Sequence, residues 1–154
     1  MIVREAKLKN GTQKQYSSLD EAIRAAQFIR NKAVRYWMDN PGVSKANLYA
    51  LCKELAAEFA WAKKLNSAAR QASAERAWAA ISSFYSRCKQ GDKKKGYPKF
   101  KKYSRSVESK VSGYILSADC RSIAFTDGFG IGTLELYCDC ETREDLFRLK
   151  LNRV

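Results

Sequence analysis

The sequence contains no histidine, and this absence limits the chemistry that the chain can perform. Histidine is the side chain that enzymes use most often as a general base. The chain has no nucleophile-elbow motif either, and its dense acidic run, Asp139, Glu141, Glu144 and Asp145, lies within one connecting stretch. Two-metal nuclease chemistry needs converging carboxylates. We therefore expect no catalytic residue, no cofactor and no enzymatic activity in this chain.

The cysteines do not form the pattern of a disulfide framework or a zinc site. Their number is odd, and no leader sequence precedes them. Cys138 and Cys140 form a C-x-C pair, but a zinc site needs further ligands, and no histidine is present to supply one. The sequence therefore predicts reduced, mostly buried thiols and no bound metal.

Long apolar runs are also missing. No uncharged apolar stretch approaches the length of about 18 residues that a membrane-spanning helix requires. Charges at Arg4, Glu5, Lys7 and Lys9 exclude the apolar region of a signal peptide. The sequence predicts a cytoplasmic protein without a membrane partner.

Positive charge is abundant. The 154 residues include 29 basic and 16 acidic ones, for a formal net charge of +13, and 45% of the residues are hydrophobic. This composition predicts a folded domain that repels itself and attracts polyanions, of which nucleic acid is the leading candidate. The charge is densest at one junction, since residues 89–105 hold eight basic residues and one acidic residue.

The stretch "DKKKGYPKFKKYSR", residues 92–105, combines this charge with aromatic rings, and we name it the connector. Gly96 and Pro98 predict a fixed turn in it. Tyr97, Phe100 and Tyr103 have basic residues on both sides, a pattern in which rings stack on unpaired bases while ammonium groups bind phosphates. Two other interpretations stay open: a solvated lysine-rich linker, or rings that pin the connector onto its own core.

Hydrophobic periodicity divides the chain at the connector and predicts an α+β fold. Before it, "IVREAKL" alternates as a strand and three helices follow. The first helix is expected to start at a capping box of Ser18 and Glu21 and to end at "NPG", residues 40–42. The second is expected to start at Ser44, with Phe59 on its apolar face, and the third to run from about Asn66 to Cys88. After the connector, "SVESKV", "GYILS", "RSIAF", "TLELY" and "LFRLKLNRV" predict four or five strands.

A lone strand at the N-terminus would be unstable, so residues 1–8 are expected to pair with the C-terminal strands. The helices then form an insertion into a small β-barrel or sheet. The predicted boundaries are 1–14 and 96–154 for the β domain and 15–95 for an inserted three-helix domain.

The stretch "RNKAVRYW", residues 30–37, carries a second group of basic residues on the first helix. Arg24, Arg30, Lys32 and Arg35 are predicted to line an outer face suited to phosphates. Trp37 falls on the buried stripe, and core or inter-helix packing is the expected role of all three tryptophans, which are Trp37, Trp61 and Trp78.

Five stretches resemble the N-terminal region of TnpB (OrfB)-type transposon proteins of the cyanobacterial kind. They are "IVREAKLKNGT" (2–12), "RNKAVRYW" (30–37), "NSAARQASAERAWAAISSFY" (66–85), "KGYPKFKK" (95–102) and "FTDGFGIGTL" (125–134). The G-[YF]-P-[KR]-F-[KR] element after three helices is the most specific of these features. The resemblance covers nearly the whole chain.

The resemblance implies the N-terminal half of an RNA-guided DNA endonuclease, or transposase. In that family a β-barrel wedge domain carries a helical recognition domain inserted after its first strand, and the two hold guide RNA and target DNA. Cleavage belongs to a later nuclease domain. This sequence stops at Val154, so a truncated gene product or a fragment of a longer protein is expected, and endonuclease activity is not carried over.

The predicted partners are therefore a guide-like RNA and DNA, with an acidic protein partner of a small interaction or regulatory module as the alternative. Residues of the connector and of the first helix are the predicted nucleic-acid contacts. They are Arg24, Arg30, Lys32, Arg35, Lys93, Lys94, Lys95, Tyr97, Lys99, Phe100, Lys101, Lys102 and Arg105.

Overall fold

The computed structural model describes residues 5–104, 106–110, 112–137 and 149–152, and over them the chain is an α+β protein, as predicted. The helices are α1 (Gln13–Asp39), α2 (Lys45–Glu58), α3 (Ala60–Lys63) and α4 (Ser67–Gln90). The strands are β1 (Lys7–Lys9), β2 (Ser106–Ser109), β3 (Tyr114–Leu116), β4 (Ser122–Phe125), β5 (Gly132–Tyr137) and β6 (Leu149–Asn152). Each of the five segments predicted as strands after the connector overlaps one of the strands β2 to β6.

The predicted capping box of Ser18 and Glu21 is wrong. Helix α1 begins at Gln13, five residues before Ser18. Thr12 is the N-cap: its hydroxyl accepts from the Gln15 amide N–H at 3.2 Å, and the Gln15 side chain accepts from the Thr12 N–H at 3.0 Å. The Gln15 side chain also donates to the Ile131 carbonyl at 2.9 Å. This tertiary contact favours the earlier start, and Ser18 lies buried inside the helix.

The helical part contains four described helices rather than the three predicted. Ser44 caps α2 as expected, and Asn66 caps α4 as expected. Phe59, which the sequence placed on the face of α2, instead leaves the helix with φ −116° and ψ 104°. It ends α2 and precedes the short helix α3. The chain therefore bends at Phe59, and its ring packs beside α1.

Helices α1, α2 and α4 share one apolar core. Ile29, Val34 and Trp37 of α1 and Leu48 and Leu55 of α2 are buried in it. The small side chains of α4 let its neighbours approach closely, and its buried members of this core are Ala69, Ala74, Ala77 and Ile81. Val107 of β2 joins the same core, so the segment after the connector returns to the helices.

The strands form a four-stranded antiparallel sheet of order β1-β5-β4-β3 and a two-stranded pair of β2 and β6. Lys7 pairs with Tyr137 and Lys9 with Glu135. This confirms that the N-terminal strand pairs with a C-terminal one, for the residues described; residues 1–4 lie outside them. Leu19 of α1 packs on this sheet in a second core with Ile123, Phe125, Ile131 and Leu134.

The described cysteines, Cys52, Cys88 and Cys120, are free thiols, and Cys52 and Cys120 are buried as predicted. Burial raises the pKa of Cys52 to about 11, which keeps its thiol protonated. Cys138 and Cys140, like the acidic run of residues 139–145, lie outside the described residues. Among the described helices, none is long and apolar enough to cross a membrane.

Candidate nucleic-acid interface

The connector lies along α1 because two amide side chains of the helix bind its backbone. The Asn31 side chain donates to the Lys101 carbonyl at 2.8 Å and accepts from the Lys101 N–H at 2.9 Å. The Gln27 side chain donates to the carbonyls of Lys101 and Lys102 at 2.9 and 2.8 Å, and it accepts from the Ser104 N–H at 2.6 Å. These bonds fix the backbone and leave the lysine side chains exposed.

Arg30, predicted as a phosphate contact, points to the connector instead of to open solvent. Its guanidinium donates to the Lys99 carbonyl at 3.0 Å and to the Asn31 side chain at 3.1 Å. Burial and, second, the charge of Arg76 lower the pKa of Arg30. In this arrangement the first role of Arg30 is to hold the connector.

The first half of the connector packs on the helical core. The Tyr97 ring lies 5.4 Å from the Trp37 ring and 5.3 Å from the Phe84 ring, centroid to centroid. Pro98 is buried beside it, and Gly96 has φ +66°, the left-handed conformation that favours glycine. Tyr97 is 51% exposed, but its ring contacts anchor the connector to the helical core. This agrees with the alternative interpretation in which rings pin the connector onto its own core.

Trp37 is buried, as predicted, and Trp78 packs against the same core. Trp61 of α3 packs against another helix, which agrees with the prediction, although 42% of its surface is exposed. Its ring meets the Phe28 ring at 4.7 Å, and Phe28 also meets Phe59 at 5.1 Å. These three rings form an aromatic cluster beside α1, and Phe28 and Phe59 also pack against the main core.

The second half of the connector borders an open groove on α1, here called the α1 groove, with a volume of about 430 Å³. Phe100, 50% exposed, forms one wall. The other lining residues recur every three or four positions on one face of α1. They are Arg24, Gln27, Phe28, Asn31, Lys32 and Arg35. Four of the predicted site residues, from two separate stretches of sequence, thus meet in one groove: Arg24, Lys32, Arg35 and Phe100.

The cations of the groove have weak partners. Arg24 forms an ion pair with Asp20 at 3.3 Å and Arg35 one with Asp39 at 2.7 Å, both four residues apart on the helix surface. Such exposed pairs contribute only about 0.3–0.5 kcal/mol, so an incoming phosphate can exchange with the carboxylate. The Lys32 ammonium lies 5.5 Å from the centre of the Phe28 ring.

The connector lysines fall into two groups. Lys99, Lys101 and Lys102 belong to the half that Gln27, Arg30 and Asn31 hold against α1. Lys93, Lys94 and Lys95 are exposed nearer to the end of α4, where Arg87 donates to the Lys95 carbonyl at 3.4 Å. Arg105 lies outside the described residues.

Sequence reasoning missed the residues that build this interface. Gln27 and Asn31 hold the connector, and Phe28 forms the apolar floor of the groove, yet none of them carries charge. A signal was present in their spacing, since Gln27 and Asn31 are one helical turn apart. Their partner, however, lies about 70 residues away along the chain, and no local pattern shows it.

A second basic region, here called the Glu75 cluster, joins α2, α4 and the segment after β2. Lys110 lies 2.5 Å and Lys45 3.3 Å from a carboxylate oxygen of Glu75, and the Tyr49 hydroxyl donates to the same oxygen. Partial burial favours the neutral carboxyl, but the hydrogen bonds from Lys110, Tyr49 and Lys45 outweigh it and lower the Glu75 pKa to about 2. Positive charge is balanced here by a half-buried carboxylate.

No protein-family model matches the chain, and no curated protein sequence matches it either. In the part of the chain that the structure describes, no group of three acidic or cysteine side chains is placed to hold a metal ion. What the α1 groove offers is a set of cations around exposed aromatic faces, which suits binding of an anionic, aromatic ligand.

Proposed function

We propose that this chain binds nucleic acid, both RNA and DNA, through the α1 groove and the connector. One observation carries the proposal: Arg24, Lys32, Arg35 and Phe100 line a single groove beside connector lysines whose backbone is fixed. Because the backbone of these lysines is already fixed, only their side chains have to be ordered when they bind phosphates. The net charge of +13 adds a long-range attraction for polyanions.

We further propose that the chain is the recognition part of a TnpB (OrfB)-type RNA-guided protein. The five stretches that resemble this family include "RNKAVRYW" and "KGYPKFKK", which hold most of the interface residues. The pairing of β1 with β5 supports a wedge-like β domain from which the helices emerge and to which the chain returns. In such a protein base pairing reads the sequence, while the protein binds the backbone and the shape of the duplex. The proposal assigns no catalytic step to this chain.

The rival to be excluded is an acidic protein partner, which would also bind a basic surface. We propose to bind the full chain to labelled single-stranded RNA and to compete with unlabelled RNA or with polyglutamate at equal charge. We expect RNA to compete at far lower concentration than polyglutamate. Both carry negative charge, but only RNA has bases that stack on aromatic rings. Equal competition by polyglutamate would favour the acidic protein partner.

A further inference from the structure

We propose that the α1 groove receives one unpaired base of a bound strand, which lies against Phe28 and Phe100 while Arg24 and Arg35 bind flanking phosphates. This inference rests on the proposed function and adds the class of ligand: nucleic acid with an unpaired nucleotide, rather than a continuous duplex.

Phe100 presents an exposed apolar ring to the groove. Half of the surface of Phe100 is exposed. The next residue, Lys101, has its backbone fixed by two hydrogen bonds to the side-chain amide of Asn31. The ring lines the wall of the groove, whereas the equally exposed Tyr97 ring packs against Trp37 and Phe84. An exposed aromatic ring on a fixed backbone is what base stacking requires.

Phe28, the second aromatic residue of the groove, contacts two further aromatic rings. Its ring packs edge to face against Phe59 and Trp61, with centroids 5.1 and 4.7 Å apart. Edge-to-face pairs of this kind are favourable beyond their buried area, so they hold the Phe28 ring in place.

The groove has a cation towards each of its ends. Arg24 and Arg35 stand at the two ends of the groove, eleven positions or about 16 Å apart along the helix axis. A strand that places one base between the rings can therefore meet a cation on either side. A base within a duplex shows only its edges, so its face becomes available when it is unpaired.

The test compares three hairpins that share one stem: one with a single unpaired nucleotide, one with an abasic residue at that place, and one fully paired. The abasic hairpin keeps every phosphate and removes only the base. We expect the full chain to bind the base-bearing hairpin between about 5-fold and about 150-fold tighter than the abasic one, the range that stacking of one base supplies. RNA and DNA versions are both measured, and the preference is expected in both because the groove contacts base and phosphate.

Phe100→Ala is expected to reduce this preference to less than about 2-fold, the loss that follows when the stacking face is removed. Phe100→Leu keeps an apolar side chain and should lose most of the preference as well. The matched control is Tyr103→Ala, since Tyr103 belongs to the same connector, is more exposed at 72%, and does not line the groove. The control should keep the preference.

The outcomes separate the two proposals. Steeply salt-dependent binding with equal affinity for base-bearing and abasic hairpins would overturn the base site and leave the proposed function standing. Failure to bind any of the hairpins would overturn the proposed function and the base site together. A preference that Tyr103→Ala abolishes and Phe100→Ala keeps would overturn the assignment to the groove.

Discussion

Basic side chains occupy two contrasting regions of this protein, the Glu75 cluster and the α1 groove. In the first, Lys45 and Lys110 converge on one half-buried carboxylate, and nearby Arg76 meets Glu108. In the second, Arg24 and Arg35 have only surface partners one helical turn away, and the connector lysines are exposed. The same residue types are therefore structural in one region and available to a ligand in the other.

The two regions differ in the burial of the carboxylate that the cations meet, and not in the number of cations. We infer that a cation paired with a partly buried carboxylate stabilises the fold, whereas one paired with an exposed carboxylate can bind a ligand. A half-buried ion pair is costly to break, because it leaves an uncompensated charge. An exposed pair contributes little and is exchanged easily.

The largest effect is expected from Arg76→Ala. Arg76 is 28% exposed and lies 3.3 Å from Glu108, which is 15% exposed, and it also donates to the Ser106 carbonyl at 3.1 Å. Its loss should lower the free energy of unfolding by about 2–3 kcal/mol, since a partly buried carboxylate loses an ion pair and the Ser106 carbonyl loses a hydrogen-bond donor. Arg24→Ala, the matched variant from the groove, should cost less than about 0.5 kcal/mol but weaken nucleic-acid binding. The measurements are denaturant unfolding and RNA titration of both variants. Equal losses of stability and equal losses of RNA affinity in the two variants would contradict the contrast.

The Glu75 cluster should also make the free energy of unfolding depend on pH. The pKa of Glu75 is lowered to about 2 from an ordinary value of 4.5, so its ionised form is stabilised by folding. That stabilisation is complete above about pH 4.5 and is lost as the pH falls towards 2. We expect a smaller effect than for Arg76, because the half-exposed Lys45 is screened by solvent.

The measurement is the free energy of unfolding at pH 7 and pH 3 for the parent and for Glu75→Gln. Other carboxylates titrate in both proteins, so the difference between them isolates Glu75. The parent should lose more stability between the two pH values than the variant. Parallel losses would mean that Glu75 does not contribute as described.

Residues that hold the connector come next. Asn31→Ala removes two hydrogen bonds to Lys101 and should lower the free energy of unfolding by about 1–2 kcal/mol. RNA affinity should fall too, because the lysines of a loosened connector must be ordered when they bind. Gln90→Ala, at an exposed position at the end of α4, is the control for removing an amide side chain. Unchanged binding by Asn31→Ala would show that the connector need not be fixed.

The smallest effect distinguishes the two halves of the connector. Tyr97→Ala should lower the free energy of unfolding by about 1 kcal/mol, the typical contribution of aromatic pairs such as those with Trp37 and Phe84. It should leave the salt dependence of binding unchanged. If Tyr97→Ala instead abolished a preference for bases without a loss of stability, Tyr97 would be a stacking residue and not an anchor.

The sequence predicts the elements of this fold better than their ends. The caps Ser44 and Asn66 are read correctly because their signals are local, and the alternation of "TLELY" predicts the strand that pairs with β1. The start of α1 is missed because Thr12 and Gln15 compete with an equally good box at Ser18, and a contact with Ile131 favours the first. The bend at Phe59 is missed because its ring finds a partner on another helix.

The candidate site is predictable in its charges but not in its construction. Charge and aromatic content mark the connector and the basic face of α1, and the structure brings parts of both together in one groove. Sequence could not show that Tyr97 would pack on Trp37 while Phe100, three residues later, would face the groove. Nor could it show that Gln27 and Asn31 fix the backbone between them.

The measurement that tests the central claim most directly is the salt dependence of RNA binding by two triple variants. One removes the connector lysines beside the groove, Lys99, Lys101 and Lys102. The other removes three exposed lysines outside the connector and the groove, Lys14, Lys53 and Lys64. Both change the net charge equally, and melting curves confirm that each is folded.

Each lysine bound to a phosphate releases condensed counterions, so its removal flattens the slope of log affinity against log salt. The account predicts that the connector variant flattens the slope by about 2–3 units and that the control variant changes it by less than about 1 unit. Equal flattening by both variants would mean that RNA is held by net charge alone, and would contradict a defined site at the α1 groove.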